Sequence, residues 1–268
     1  MIRLTFLRSH HRSRDDNRRR LSLRDVFSTV LALATWVSVA HAETLRVVCA
    51  EIPPLCYRED HENRGFAFEI GEEILRRVDN HATIEIQPFA RALYSVQSGH
   101  GTIALWLGRT PEREKTVIWI APVLIDAFHV FTLKDHAKAE TLEQARQLRS
   151  FAAIISGSNV LTAQHLELGR IELTGSEEAN GNKLLSGRVD GWIATQAAVG
   201  SFVRRNPEAA SRIVQGVKLV DYSAYLVASP DVDEKTIVAW RQAFLAIERD
   251  GFLQKVMDKY GVPLPQTR

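Results

Sequence analysis

The chain has 268 residues, 45% of them apolar, with 34 basic and 32 acidic side chains, a formal charge of +2 and only two cysteines. That apolar content supplies one or two real cores and excludes a collagen-like, a largely disordered or a disulfide-dense chain. Eight of the basic and three of the acidic side chains fall in the first 42 residues, so the remainder is net acidic by three, which argues against a nucleic-acid binder with its usual basic stripe.

The first 42 residues read as an address. An Arg-rich stretch ends at Arg24-Asp25, an apolar run follows from Val26 to Ala40, and Ala40-His41-Ala42 offers a small-x-small site. These are the three parts of a cleaved secretory signal, with cleavage expected after Ala42. A spanning helix needs about 20 apolar residues, and this run has 15. Asn17-Arg18-Arg19-Arg20-Leu21 loosely resembles a twin-arginine signal, but the general secretory route is the expected one. The remaining 226 residues are expected in the periplasm as a monomer that does not span the membrane. There Cys49 and Cys56 either pair or stay as two thiols. Seven residues of extended chain span about 23 Å against the roughly 6 Å a disulfide wants, although Pro53-Pro54 offers a way to turn back.

From Leu45 onward strand and helix patterns alternate. Leu45–Cys49 reads as a strand, and Phe66, Ile70, Ile74 and Val78 form one helical stripe. A strand at Thr83–Gln87, a helix at Ala90–Ser98 and a strand at Ile103–Leu107 follow. After residue 140 come a helix near Leu142–Leu148, a strand Phe151–Ile155, a helix Val160–Leu168, a helix near Asn182–Ser186, and strands at Gly191–Ala194 and Ile213–Val217. Tyr225–Val227 is a further strand, and Val232–Ile247 and Gly251–Tyr260 are helical. Such alternation favours mostly parallel sheet covered by helices. Phe128–Leu133 and Ser223–Val227 are candidate crossover strands, with a hinge expected near residues 131–134 and 222–226.

An ordered set of segments carries a family resemblance: Leu45-Arg46-Val47-Val48, Pro53-Pro54, Gly65-Phe66-Ala67-Phe68-Glu69-Ile70, Gln97-Ser98-Gly99, Arg109 to Glu114, Ser156-Gly157-Ser158, Ser186 to Asp190 and Asp250-Gly251-Phe252. Together they resemble the periplasmic solute-binding proteins of the polar-amino-acid type, extracellular solute-binding family three, over residues 43–262. The resemblance implies a type II periplasmic-binding-protein fold, in which two α/β lobes joined by a two-strand hinge close on a small anionic or zwitterionic solute and present it to an inner-membrane ABC permease. The expected organisation is a signal peptide at 1–42, a first lobe at 43–131 completed by 224–268, and a second lobe at 132–223.

The resemblance also implies site residues. Arg113, ending Thr110-Pro111-Glu112-Arg113, is where similar proteins grip the solute carboxylate, a task suited to a planar guanidinium fork. Its neighbours Glu112, Glu114 and Arg109 allow the alternative of a solvated charge cluster. Gly108 permits close backbone approach, and Trp106 and Phe89 are either aromatic walls of the cleft or core residues. Ser158 and Asn159 are expected to cap the helix beginning near Val160 and to favour an anion there. Where similar proteins place an aspartate for the solute ammonium, this chain has Thr195. Either Glu51 takes over that role or the solute lacks the amine, since an ammonium buried without a partner is costly.

The expectation is a binder rather than an enzyme. The chain has no His-Glu-x-x-His, Cys-x-x-Cys or Gly-x-Ser-x-Gly motif and no phosphate-binding glycine loop. The six histidines beyond residue 42 are dispersed, so no metal or other cofactor is expected. The alternatives are a sensor or accessory binding protein and a dehydratase-like enzyme using Glu51.

Overall fold

The computed structural model describes residues 45–136 and 139–264; the expected signal segment and its cleavage site lie outside them. Apolar runs buried on both faces build the interior strands. In β1 (Arg46–Ala50) every residue after Arg46 is buried, the pattern of a parallel strand covered on both sides. A hairpin of β2 (Tyr57–Glu59) and β3 (Glu62–Arg64) precedes α1 (Phe66–Arg77), which buries Phe66, Ile70 and Ile74 along one stripe. Gly65, at φ 125°, lets the chain run against the backbone of Leu55 just before that helix. Then come β4 (Ile84–Gln87), α2 (Phe89–Gln97), β5 (Thr102–Gly108) and a 3-10 turn at Pro111–Arg113. β1 lies between β4 and β5, parallel to both.

A second α/β unit contains α3 (Leu142–Gln147), β7 (Ser150–Ile154), α4 (Ser158–His165), β8 (Arg170–Thr174), α5 (Glu177–Leu185), β9 (Gly191–Thr195) and α6 (Gln196–Arg205). Two 16-residue strands, β6 (Ile118–Leu133) and β10 (Ile213–Ala228), run antiparallel and join the halves. The result is one eight-stranded sheet in the order β4-β1-β5-β10-β6-β9-β7-β8. The helices α7 (Glu234–Arg249) and α8 (Phe252–Tyr260) close the chain, and α7 and α8 both pack on α1.

The candidate crossovers fall inside this ribbon. β10 pairs with β5 over Ala224–Ala228, whereas β6 pairs with β9 over Phe128–Phe131. The partner change therefore precedes the residue 131 boundary expected from the sequence, and we place the crossing at about 124–128 and 220–224. Ile213–Val217 and Tyr225–Val227 are one strand; exposed Gln215, Lys218 and Asp221 break its apolar pattern. The edge strand β8 and helix α6 were not legible as elements. β8 alternates charged with apolar residues and leaves Leu173 half exposed, and α6 begins with small residues that give little periodicity. Helix α5 starts at Glu177, earlier than its apolar residues suggest, because Ser176 caps it by accepting the Ala179 N–H.

Cys49 and Cys56 are bonded to each other, with Cα atoms 6.2 Å apart. The chain turns back between them, and the Ile52 N–H donates to the Cys56 carbonyl at 2.9 Å. The bridge ties the Ile52–Leu55 turn to the end of β1. Replacing both cysteines with alanine is expected to cost about 2–3 kcal/mol by the loop-entropy relation, lowering the melting midpoint by roughly 5–10 °C for a chain of this size. Calorimetric melts of the native and double-variant proteins check this.

Candidate ligand-binding cleft

β5 carries the chain to Gly108, and the turn that follows aims Arg113 back toward the junction of the halves. Arg113 is only 4% exposed. Its Nη1 donates to the Gly108 carbonyl at 3.0 Å and to Ser158 Oγ at 2.9 Å, and its Nη2 donates to the Ser156 carbonyl at 2.7 Å. The guanidinium thus reaches from the turn after β5 to the turn before α4. It also lies over the ring of Phe89, 5.7 Å from its centroid. All of its hydrogen-bond acceptors are neutral.

The charge-cluster alternative does not describe this arginine. Glu114 pairs with Arg109, and Glu112 faces His165 Nε2 at 3.5 Å; those side chains are well exposed. Arg109 is stacked between Trp119 and Tyr225. Burial pushes the Arg113 guanidinium below its usual pKa, with Tyr222 and Glu112 opposing that only in part. Because an arginine stays charged in any case, the site holds a desolvated cation with no carboxylate bonded to it among the described residues. Such a group is an acceptor site for an anion.

Ser158 and Phe89, which touch Arg113, line a cavity of about 50 Å³ whose wall does not include Arg113 itself. Phe89, at the start of α2, and Trp106, on β5, both line it and both belong to packed cores. Trp106 meets Phe66 and Tyr222 with ring centroids 6.0 Å apart in each case. Ser158, Asn159 and Thr195 line the other side. Gly108 sits against them: a Cβ there would meet Ser158 Oγ and approach Tyr222 Cε2 at 2.7 Å. Glu51 follows β1, bonded through its backbone N–H to the Gln87 carbonyl, and its side chain is not part of the cavity wall.

The expected capping of α4 holds for Asn159, whose Oδ1 accepts the Val160 N–H at 3.1 Å, and is corrected for Ser158. The helix begins at Ser158, and its cap residue Gly157 makes no side-chain bond. The Ser158 hydroxyl accepts from Arg113, and Asn159 Nδ2 donates across to the Ile193 carbonyl at 3.0 Å. Thr195 is itself a cap, accepting the Ala198 N–H at 3.2 Å at the start of α6. Asp126 on β6 accepts the adjacent Ala197 N–H at 3.2 Å.

The fold and cleft can now be set beside known proteins. Residues 45–263 match the family model described as bacterial extracellular solute-binding proteins, family 3. The chain belongs to that family. Among its relatives, the probable amino-acid-binding protein YxeM of Bacillus subtilis (strain 168) is 18% identical over 211 residues, covering 77% of this chain and 79% of the relative. Among solved structures, a histidine kinase sensor domain with similarity to periplasmic binding proteins superposes with a TM-score of 0.73 at 15% identity, over 82% of this chain and 98% of that one. A putative L-cystine ABC transporter from Listeria monocytogenes gives 0.71 at 20% identity, over 81% and 94%. These likenesses fix the type II binding-protein fold; no helix among the described residues of this family 3 protein is long and apolar enough to cross a membrane.

Of the wall residues that the sequence did not single out, one is charged. Glu177, the first residue of α5, lines the cavity and is the only charged side chain to do so among the described residues. Its Oε2 accepts from Asn180 Nδ2 at 2.7 Å and from Trp192 Nε1 at 2.9 Å. Burial pushes its carboxyl up to about 7 from the ordinary 4.5, with those two donors pulling the other way. A carboxyl raised in this way lowers fold stability as pH climbs from 4.5 to about 7. In the sequence, Ser176-Glu177-Glu178 looks like an exposed acidic helix start, favourable to the helix dipole, so nothing local marks Glu177 as buried.

Proposed function

We propose that this family 3 protein is a periplasmic solute-binding protein that closes its two lobes on a small carboxylate-bearing solute and delivers it to an inner-membrane ABC permease. The observation that carries the reading is Arg113, a buried guanidinium at the junction of the lobes whose acceptors are all neutral. A solute carboxylate would supply the missing negative charge, in the two-pronged geometry the fork favours. The names of the Bacillus and Listeria relatives, one amino-acid-binding and one an ABC transporter, point the same way.

The cavity size bears on how the solute enters. About 50 Å³ is well below the roughly 300–1,000 Å³ of ligand clefts, so the lobes must part to admit it. Only β6 and β10 join the two halves of the sheet, which gives the hinge a short lever on which to turn. Gly108, Trp106 and Phe89 would form the first-lobe wall of the opened cleft, and Ser158, Asn159 and Thr195 the second. Closure would then bring Ser158 against Gly108. Native mass spectrometry of freshly purified protein is expected to find a carboxylate-bearing solute, and adding it back to stripped protein should compact the particle in small-angle scattering. Gly108→Val should weaken that binding at least tenfold, because its methyls occupy the space of Ser158 Oγ and the Tyr222 ring. A stripped protein that binds no carboxylate and never compacts would overturn the reading.

A further inference from the structure

Glu177 faces the same cavity as Ser158 and Phe89, two of the residues that touch Arg113. Both of its hydrogen bonds fall on Oε2, and no donor among the described residues reaches Oε1. The other carboxylates near the cleft are committed elsewhere or stand off it. Asp126 accepts the backbone N–H groups of Ala127 and Ala197, and Glu51 is outside the cavity wall. The rest of the wall is apolar or aromatic apart from the neutral side chains of Ser158, Asn159 and Thr195, which are bonded to Arg113, to the Ile193 carbonyl and to the Ala198 N–H; Phe128 and Tyr222, with centroids 4.4 Å apart, form part of it. A carboxylate with one free oxygen in such a wall has a donor to find, and aromatic faces favour that donor being a cation.

We propose that Glu177 binds a protonated nitrogen of the solute, so that the cleft recognises a molecule with a carboxylate toward Arg113, an ammonium toward Glu177 and an apolar body between aromatic walls. This rests on the carboxylate reading of Arg113 given above. It also makes binding proton-linked. Glu177 is ionised only above about pH 7 in the protein, so an ammonium should gain affinity as pH rises through that value. The ionisable groups on the elements packed against α5 are Asp126 and His129 on β6, Arg170 and Glu172 on β8, and Arg204 and Arg205 on α6; β7 and β9 carry none. Glu172 is paired with Lys183 of α5, and Arg205 with Glu178. None of them is bonded to Glu177.

The test is isothermal calorimetry with two probe pairs that differ only in the amine: L-leucine with 4-methylpentanoate, and L-phenylalanine with 3-phenylpropionate. At pH 8 the amine-bearing member of at least one pair is expected to bind tenfold or more tightly. Its advantage should shrink by about tenfold at pH 6, following the ionised fraction of a group titrating near 7. In Glu177→Gln the advantage should fall to near parity at both pH values; a pH dependence that persists there belongs to another group and counts against the proposal. Equal or tighter binding of the deaminated acids at pH 8 overturns the role of Glu177 and leaves that of Arg113 standing. No binding by any of the four at millimolar concentration overturns both. If Glu177→Gln does not melt cooperatively, the pH dependence of the native protein's preference decides.

Discussion

Arg113→Ala is expected to abolish solute binding while leaving a folded protein. Removing one partner of a desolvated charged hydrogen-bond pair typically costs about 2–5 kcal/mol, which at 1.4 kcal/mol per decade is a loss of roughly 30-fold to several thousand-fold in affinity. The fold should tolerate the change because the arginine is held only by Ser158 Oγ and the carbonyls of Gly108 and Ser156. Burying a cation without a bonded counter-charge carries a desolvation cost, which an apolar replacement of similar volume removes. Arg113→Met, which keeps much of the volume, is therefore expected to melt close to the native midpoint and still fail to bind. Arg113→Lys should recover little, since a point charge does not reproduce the fork. Retained calorimetric affinity in the alanine variant would remove Arg113 as the anchor, and a collapse of the melt in the methionine variant would make it a structural residue.

Trp192→Ala is expected to be the most damaging single change in the second lobe. Trp192 is fully buried on β9, meets Phe202 at 5.5 Å and Phe131 at 6.3 Å between centroids, and donates its Nε1–H to Glu177. Truncating a buried tryptophan costs about 3–5 kcal/mol through lost contacts and the cavity left behind. For a chain of this length that corresponds to a midpoint lower by on the order of 10 °C. Trp192→Phe separates packing from hydrogen bonding, because it keeps most of the apolar contact and loses the donor to Glu177. It should melt between the native protein and the alanine variant. It should also raise the Glu177 carboxyl further, since a donor that favours the charged form is gone. A Trp192→Ala midpoint within 2–3 °C of native would show that the second lobe does not depend on this core.

What was legible in the sequence followed short-range rules. The helix at Phe66–Arg77 repeats its apolar residues every four positions, and β1, β5, β7 and β9 are short, uninterrupted apolar runs; such signals need no knowledge of the rest of the chain. β8, α6 and the polar middle of β10 escaped because their burial depends on one neighbour rather than on a repeating stripe. The cleft divides in the same way. Arg113 and Ser158 sit in segments whose order is shared with a family, and Gly108, Trp106, Phe89 and Thr195 were placed by their position relative to similar proteins, Thr195 as a departure from them. Glu177 had no such mark, and Glu51, near in sequence to the right strand, does not face the cavity.

Sequence alone determined the α/β alternation, the family and a mildly acidic body, because periodicity, motif order and charge are properties of the chain itself. Only the tertiary structure decided that Cys49 meets Cys56, that β6 and β10 are continuous ribbons through both halves, and that Glu177 lines the same cavity as Ser158 and Phe89, which touch Arg113. Those outcomes depend on where the chain turns back and on which distant segments it brings together. Whether a charge is solvated or desolvated is set by what then surrounds it, and no local pattern in the chain records that.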